Sequence, residues 1–146
     1  MPADSEIHEE SFVKAFVKKD YRDRLAFELQ KQRGRFLGRF CHGALKYLDP
    51  RFVITIPPPN SDPVEILRLL KARGSEHDCY AISMTGDIDG TTLPLSDALG
   101  IAVGGGMPTI LSCQPGRLAY LETEQVAGPP DRFILFRSSY TPNERA

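Results

Sequence analysis

Pro108-Thr-Ile-Leu-Ser-Cys113, Gln114-Pro-Gly116, Arg117-Leu-Ala-Tyr-Leu-Glu-Thr-Glu124, Gln125-Val-Ala-Gly-Pro-Pro-Asp131 and Arg132-Phe-Ile-Leu-Phe-Arg-Ser138 follow one another without a break. Three β-prone runs separated by Pro/Gly turns predict an antiparallel meander over 108–138. Strand residues alternate faces, so each run divides into two sets. Phe133 and Leu135 share one face of the last run, and Ile134 and Phe136 share the other. Both sets are apolar, which predicts a central strand covered on both sides. In the middle run Leu118 and Tyr120 oppose Ala119 and Leu121, and the chain then turns polar at Glu122, Thr123 and Glu124. That end is expected to reach solvent. Three strands cannot hide two apolar faces by themselves, so the remaining chain must supply the cover.

The order of elements upstream says what the cover is made of. Helical patterning begins near Glu9, with Phe12, Phe16 and Val17 on one face, and residues 1–8 read as a loose tail. Asp20 can cap a second helix through Lys31, with Leu25 and Leu29 one turn apart and Phe27 to the side. A third helix is predicted over 35–48. There Leu37, Cys41, Ala44 and Leu48 fall at core spacing, widened by Phe36, Phe40 and Tyr47. Gly38 and Gly43 weaken it by about 1 kcal/mol each relative to Ala. Asp49-Pro50 ends it.

Phe52 to Ile56 reads as a short strand stopped by Pro57, Pro58 and Pro59. The clearest helix start in the chain follows, with Asp62 as N-cap, Pro63 at the first helical position, Glu65 two further on and Gly74 beyond the end. Cys79 to Met84 reads as a strand, 86–90 as a loop, and Leu95 to Val103 as a helix stopped by Gly104-Gly105-Gly106. Residues 139–146 read as a second tail.

The fold class expected is α+β: one domain over 9–138, a mixed sheet of about five strands ending in the meander, and the N-terminal helices packed on it. The strand–helix–strand unit over 52–84 favours a parallel pair through a right-handed crossover.

Composition sets limits on function. A chain of 146 residues fits one domain, large enough to bury about 68–70% of its unfolded surface. With 41% apolar and 25% charged residues it is globular in character, and a net charge of −1 carries no overall pull toward nucleic acid or membrane. The charge is unevenly placed. Residues 1–52 hold 11 Lys/Arg against 8 Asp/Glu, and residues 53–146 hold 7 against 11. Three cysteines, Cys41, Cys79 and Cys113, form an odd set without metal-ligand spacing. With an acidic N-terminus and no apolar run near the roughly 18 residues of a membrane span, they place the protein in the cytoplasm, away from membranes, with no cofactor implied.

Several motifs suggest chemistry. Asp87-Ile88-Asp89-Gly90-Thr91 after a strand resembles the nucleophile loop of the haloacid dehalogenase superfamily of phosphatases. The resemblance covers these five residues. It implies that Asp87 attacks phosphorus, that Asp89 serves as acid/base, and that magnesium binds nearby. The family's downstream lysine and late acidic pair have no counterpart, since the last lysine is Lys71. Read as a calcium loop, the stretch would put Thr85 at the first ligand position and Ser96 where a bidentate Glu is needed. The glycine run follows a helix, whereas phosphate loops precede one. Cys41-His42 and His77-Asp78-Cys79 lack the spacing of a tetrahedral zinc site. Cys113, at a strand end beside a turn, is a candidate nucleophile with His42 as a possible base. Glu122 and Glu124 are a candidate acid/base pair.

The candidate binding residues are cations. Lys31, Arg35, Arg39, His42 and Lys46 fall on one ridge if the third helix is continuous, with Lys14, Lys18 and Arg22 as a shorter ridge upstream. No aromatic interleaves with them, and Asp20, Asp23 and Glu28 neutralise part of the charge. Such a ridge suits an acidic protein surface, or phosphates as the alternative. Three functions remain open: a non-catalytic interaction module (an adaptor, inhibitor or regulatory subunit), a nucleic-acid binder, and a small hydrolase built on Asp87/Asp89 or Cys113.

Overall fold

The computed structural model describes residues 4–57, 62–125 and 130–138. The expected second tail, 139–146, lies outside them, as do Pro58, Pro59 and part of the 125–131 turn.

The meander forms as its alternation requires. Strands β4 (Thr109–Gln114), β5 (Leu118–Glu122) and β6 (Arg132–Phe136) pair antiparallel, with Ile110 opposite Leu121 and Leu121 opposite Phe133. The Gln114-Pro-Gly turn is closed by the Arg117 N–H donating to the Gln114 carbonyl at 3.0 Å. A register shift between Ser112 and Gln114 marks a bulge at Cys113.

Strand β6 is internal, flanked by β5 and by β1 (Val53–Ile56). On the other side β4 pairs with β2 (Asp78–Ser83), which pairs with the three-residue β3 (Thr92–Pro94), giving the order β1-β6-β5-β4-β2-β3. Among the described residues the sheet therefore has six strands, against the about five expected. Strand β3 ends in a proline, which confines it to an edge and obscures it in the sequence.

Every neighbouring pair is antiparallel, which corrects the expected mixed sheet. β1 and β2 do point the same way, but β6, β5 and β4 lie between them. The crossover through α4 (Pro63–Lys71) spans the sheet instead of joining neighbours. The later strands insert where the local rule placed a pair.

Helices cover both faces. Phe133 and Leu135 pack with Ile82, Ile110, Ala119 and Leu121 against α1 (Asp4–Phe16), α2 (Arg22–Lys31) and α3 (Arg33–Gly38). Ile134 packs with Ala81, Leu111, Leu118 and Tyr120 against α4 and α5 (Leu95–Ala102). Helix α4 starts as read, with Asp62 Oδ1 accepting the Val64 N–H at 3.0 Å.

Two N-terminal expectations are corrected. Helix α1 begins at Asp4, so residues 4–8 are helical. Asp4 and Glu6 sit in its first turn, where carboxylates favour a helix start. The expected helix over 35–48 breaks after Gly38. Gly43 adopts φ 67°, a left-handed conformation that only glycine takes readily, and a 3₁₀ turn follows over Ala44–Lys46. Most of the core stripe survives the break: Leu37, Ala44 and Leu48 are buried, with Phe40 beside them, whereas Cys41 is half-buried.

Candidate functional site

The outer face of the α1–α3 layer is where sequence and structure meet on a surface. Helix α2 buries Leu25, Glu28 and Leu29 and turns Arg24, Phe27 and Lys31 outward. Those three fall at i, i+3 and i+7, so they share a stripe. Phe27 is 55% exposed. It lines two concavities. One, of about 440 Å³ between α1 and α2, is walled by Glu6, Glu10, Val13, Lys14, Ala26 and Leu29 among others. The other, of about 460 Å³, is bordered by Asp23, Arg24, Glu28 and Gln32. The reading that no aromatic interleaves with the cations is corrected by Tyr47, which Arg39 and Lys46 both contact; Phe27 adds an exposed ring one turn before Lys31. The position of Phe27 off the Leu25/Leu29 stripe was the available signal.

The five predicted cations do not share one helix. Lys31 closes α2, Arg35 lies in α3, Arg39 and His42 in the turn after it, and Lys46 in the 3₁₀ turn. Lys31, Arg35, His42 and Lys46 are exposed. Arg39 is bound to buried Glu28 through Nε–Oε1 and Nη2–Oε2, both 2.6 Å. That hydrogen-bonded pairing holds the Glu28 carboxyl below its usual range and keeps Arg39 charged. Arg39 also lies over the Tyr47 ring, as does Lys46. His42 Nε2 is 3.1 Å from Glu124 Oε2.

The candidate catalytic groups go to separate places. Asp87 is exposed in the β2–β3 loop. Asp89 is structural in its bonding: Oδ1 accepts the Ser83 N–H at 2.9 Å, and both oxygens accept from Arg33, at 2.8 and 3.0 Å. Cys113 is 5% exposed, and burial pushes its thiol well above the ordinary range; Cys79 is raised to about 12 by the same cause. A buried neutral thiol is a core side chain, not a thiolate nucleophile.

Glu122, expected at a solvated strand end, is fully buried. Its Oε1 accepts from Tyr120 Oη at 2.7 Å and Arg132 Nε at 2.8 Å, and its Oε2 from the Gly104 N–H at 3.0 Å. The glycine run serves this contact. A Cβ on Gly105 would meet the Ile101 carbonyl at 2.8 Å, so the chain turns tightly enough there to bring Gly104 to the carboxylate. Glu122 sits opposite Thr109, at the end of β4 remote from Cys113. Among the described residues, no group of three or more His, Cys, Asp or Glu could hold a metal ion.

One polar cluster escapes the sequence reading, in which its first member, His8, falls in the expected tail over 1–8. His8 Nδ1 is hydrogen bonded to Ser112 Oγ at 2.6 Å, and its ring stacks on Tyr80 at 5.4 Å. Tyr80 Oη donates to Glu9 Oε2 at 2.5 Å, and Glu9 also accepts from Arg33 Nη1 at 2.7 Å. Burial holds His8 below its ordinary pKa, with Asp4 opposing, and burial plus the Glu9 bond raise Tyr80 to about 12. Burial also works against charge on Arg33, but its bonds to Asp89 and Glu9 outweigh that and keep it charged. A serine beside a neutral imidazole is a nucleophile–base arrangement in outline. Ser112, however, is 2% exposed under α1. The pair's effect is to pin the first helix to the sheet.

No protein-family model, curated protein or solved structure matches the chain. Among the described residues no helix is long and apolar enough to cross a membrane.

Proposed function

We propose that the protein is a non-catalytic interaction module of the cytoplasm, an adaptor, inhibitor or regulatory subunit, that docks an acidic protein surface through the outer face of α2 and the segment after it. The observation that carries this reading is Phe27, 55% exposed between Arg24 and Lys31 and bordered by two concavities. Burying a phenylalanine contributes about 1.5–3 kcal/mol, and aromatic side chains seated in pockets dominate interface energetics. The flanking cations, Lys31 and Arg35 with His42 and Lys46 beyond them, supply complementarity and speed encounter. Three free thiols fit a reducing compartment.

The test is a titration of the full chain with fluorescent poly-glutamate and, in parallel, a short duplex oligonucleotide across a salt series. Binding to poly-glutamate is expected, weakened about tenfold or more by the double variant Lys31→Glu, Arg35→Glu. A steep log-linear loss with salt on the oligonucleotide alone would move the assignment to phosphate binding. Binding to neither probe removes the acidic-surface reading.

A further inference from the structure

The cationic stripe has an acidic counterpart on the same face. Helix α1 turns Glu6 and Glu10 outward, and both line the α1/α2 groove that Phe27 also lines. The groove floor is apolar: Val13 and Leu29 are buried, and Ala26 lies beside them. At about 440 Å³ the concavity has room for an aromatic ring. Glu9 also lines it, but its carboxylate is already held by Arg33 and Tyr80, which leaves Glu6 and Glu10 as the outward anions.

One face therefore holds an exposed ring, a groove with room for a ring, the cations Arg24, Lys31 and Lys14, and the anions Glu6, Glu10 and Asp23. A twofold interface needs this kind of self-complementarity, because each patch must meet a copy of itself.

We propose that the partner of this face is a second copy of the chain. Phe27 of each copy enters the α1/α2 groove of the other, with Arg24 and Lys31 of one set against Glu6 and Glu10 of its mate. This rests on the docking role given to the face above and names its occupant. A foreign acidic protein would use the cations and the ring but leave the apolar groove and its acidic rim unmatched; a second copy uses all of them. A contact two helices wide belongs to the small interfaces, below about 1,200 Å² in total. The dimer is accordingly expected to dissociate on the order of micromolar concentrations.

Sedimentation equilibrium of the full chain over a concentration series tests this. The mass should rise from 16.3 kDa toward twice that value, less so at high salt. Phe27→Asp should stay monomeric with its circular dichroism and unfolding midpoint unchanged, since the side chain it alters is exposed. Two charge-segregated chains extend the test: Glu6→Lys with Glu10→Lys, and Arg24→Glu with Lys31→Glu. Each alone should be monomeric through like-charge repulsion, and a mixture should associate. Wild type that remains monomeric throughout, or Phe27→Asp that associates like wild type, overturns the proposal. A monomeric chain that still binds poly-glutamate overturns self-pairing and leaves the acidic-surface role standing; one that does neither overturns both.

Discussion

Arg132 is 4% exposed against a Glu122 that is 0% exposed, whereas Arg33 keeps 28% of its side chain in solvent between Glu9 and Asp89. The first pair is ten residues apart and brought face to face by the register of a single strand pair, β5 with β6. The second joins groups 24 and 56 residues apart, on α1, α3 and the β2–β3 loop. A pair taken fully out of water has paid a desolvation cost that its own attraction must offset, so removing one partner leaves a stranded charge. A pair at the margin is screened and worth less by itself. Its importance lies in what it ties together: Arg33 holds the helical layer against the end of the sheet. Burial sets how much an ion pair can cost, and sequence separation sets which parts of the molecule feel its loss.

The largest effect is expected inside the sheet. Glu122→Gln leaves one acceptor oxygen where Tyr120 and the Gly104 N–H use two, removes the counter-charge of Arg132, and should lower unfolding free energy by about 3–5 kcal/mol in urea titrations. Adding Arg132→Met should recover more than half of that loss. If Glu122→Gln stays within about 1 kcal/mol of wild type, the two clusters do not differ in the way described.

Arg33→Ala should cost about 1.5–3 kcal/mol, and the damage should be local. Hydrogen exchange is expected to accelerate in α1 and α3 while β4–β6 amides keep their protection. A uniform loss of protection would show that the latch is not a separate unit.

A smaller, pH-dependent step comes from His8 in the same latch. Its folded-state pKa lies below the ordinary 6.5 because burial disfavours the charged ring. Between those two values the unfolded chain binds the proton and the folded chain does not, so stability rises with pH across that interval. The contribution is complete above 6.5 and is lost as pH falls through 6.5 toward the folded value. Urea midpoints measured at a series of pH values should show this step, and His8→Gln should remove it. An unchanged step in that variant would assign the pH dependence elsewhere.

The smallest effect belongs to the loop between β2 and β3. Asp87→Asn, at an exposed position, should change stability by no more than about 0.5 kcal/mol. Asp89→Asn, two residues on, should weaken the Arg33 latch measurably. Equal effects would mean that the two carboxylates are not distinguished by their partners.

Much of the fold was legible where the cause is local. The Asp62–Pro63 helix start needs only the neighbouring backbone, and the double-sided burial of Phe133 to Leu135, with Phe136 partly covered, follows from alternation alone. The break after Gly38 was half visible: the glycines argued against a continuous helix, but the apolar spacing of Leu37, Ala44 and Leu48 persists through the turn and imitates one. Strand β3 was too short and too close to a proline to register. The surface was harder to read than the core. The cations were found, but Phe27 was assigned to the flank of a core stripe, and the α1 carboxylates were divided between a tail and a helix.

What the residues alone determined is the set of elements with local causes: the meander, the capped helix, the glycine stop, and the apolar faces that demand two layers of cover. Only the tertiary structure decided that the sheet is antiparallel throughout, that Glu122 is buried and Asp87 is not, and that His8 reaches Ser112. Backbone alternation and capping act over a few residues, so they are written in adjacent letters of the chain. Strand neighbours and side-chain partners depend on contacts closed over anything from 10 to 104 positions, where identical local patterns can end beside solvent or beside an arginine.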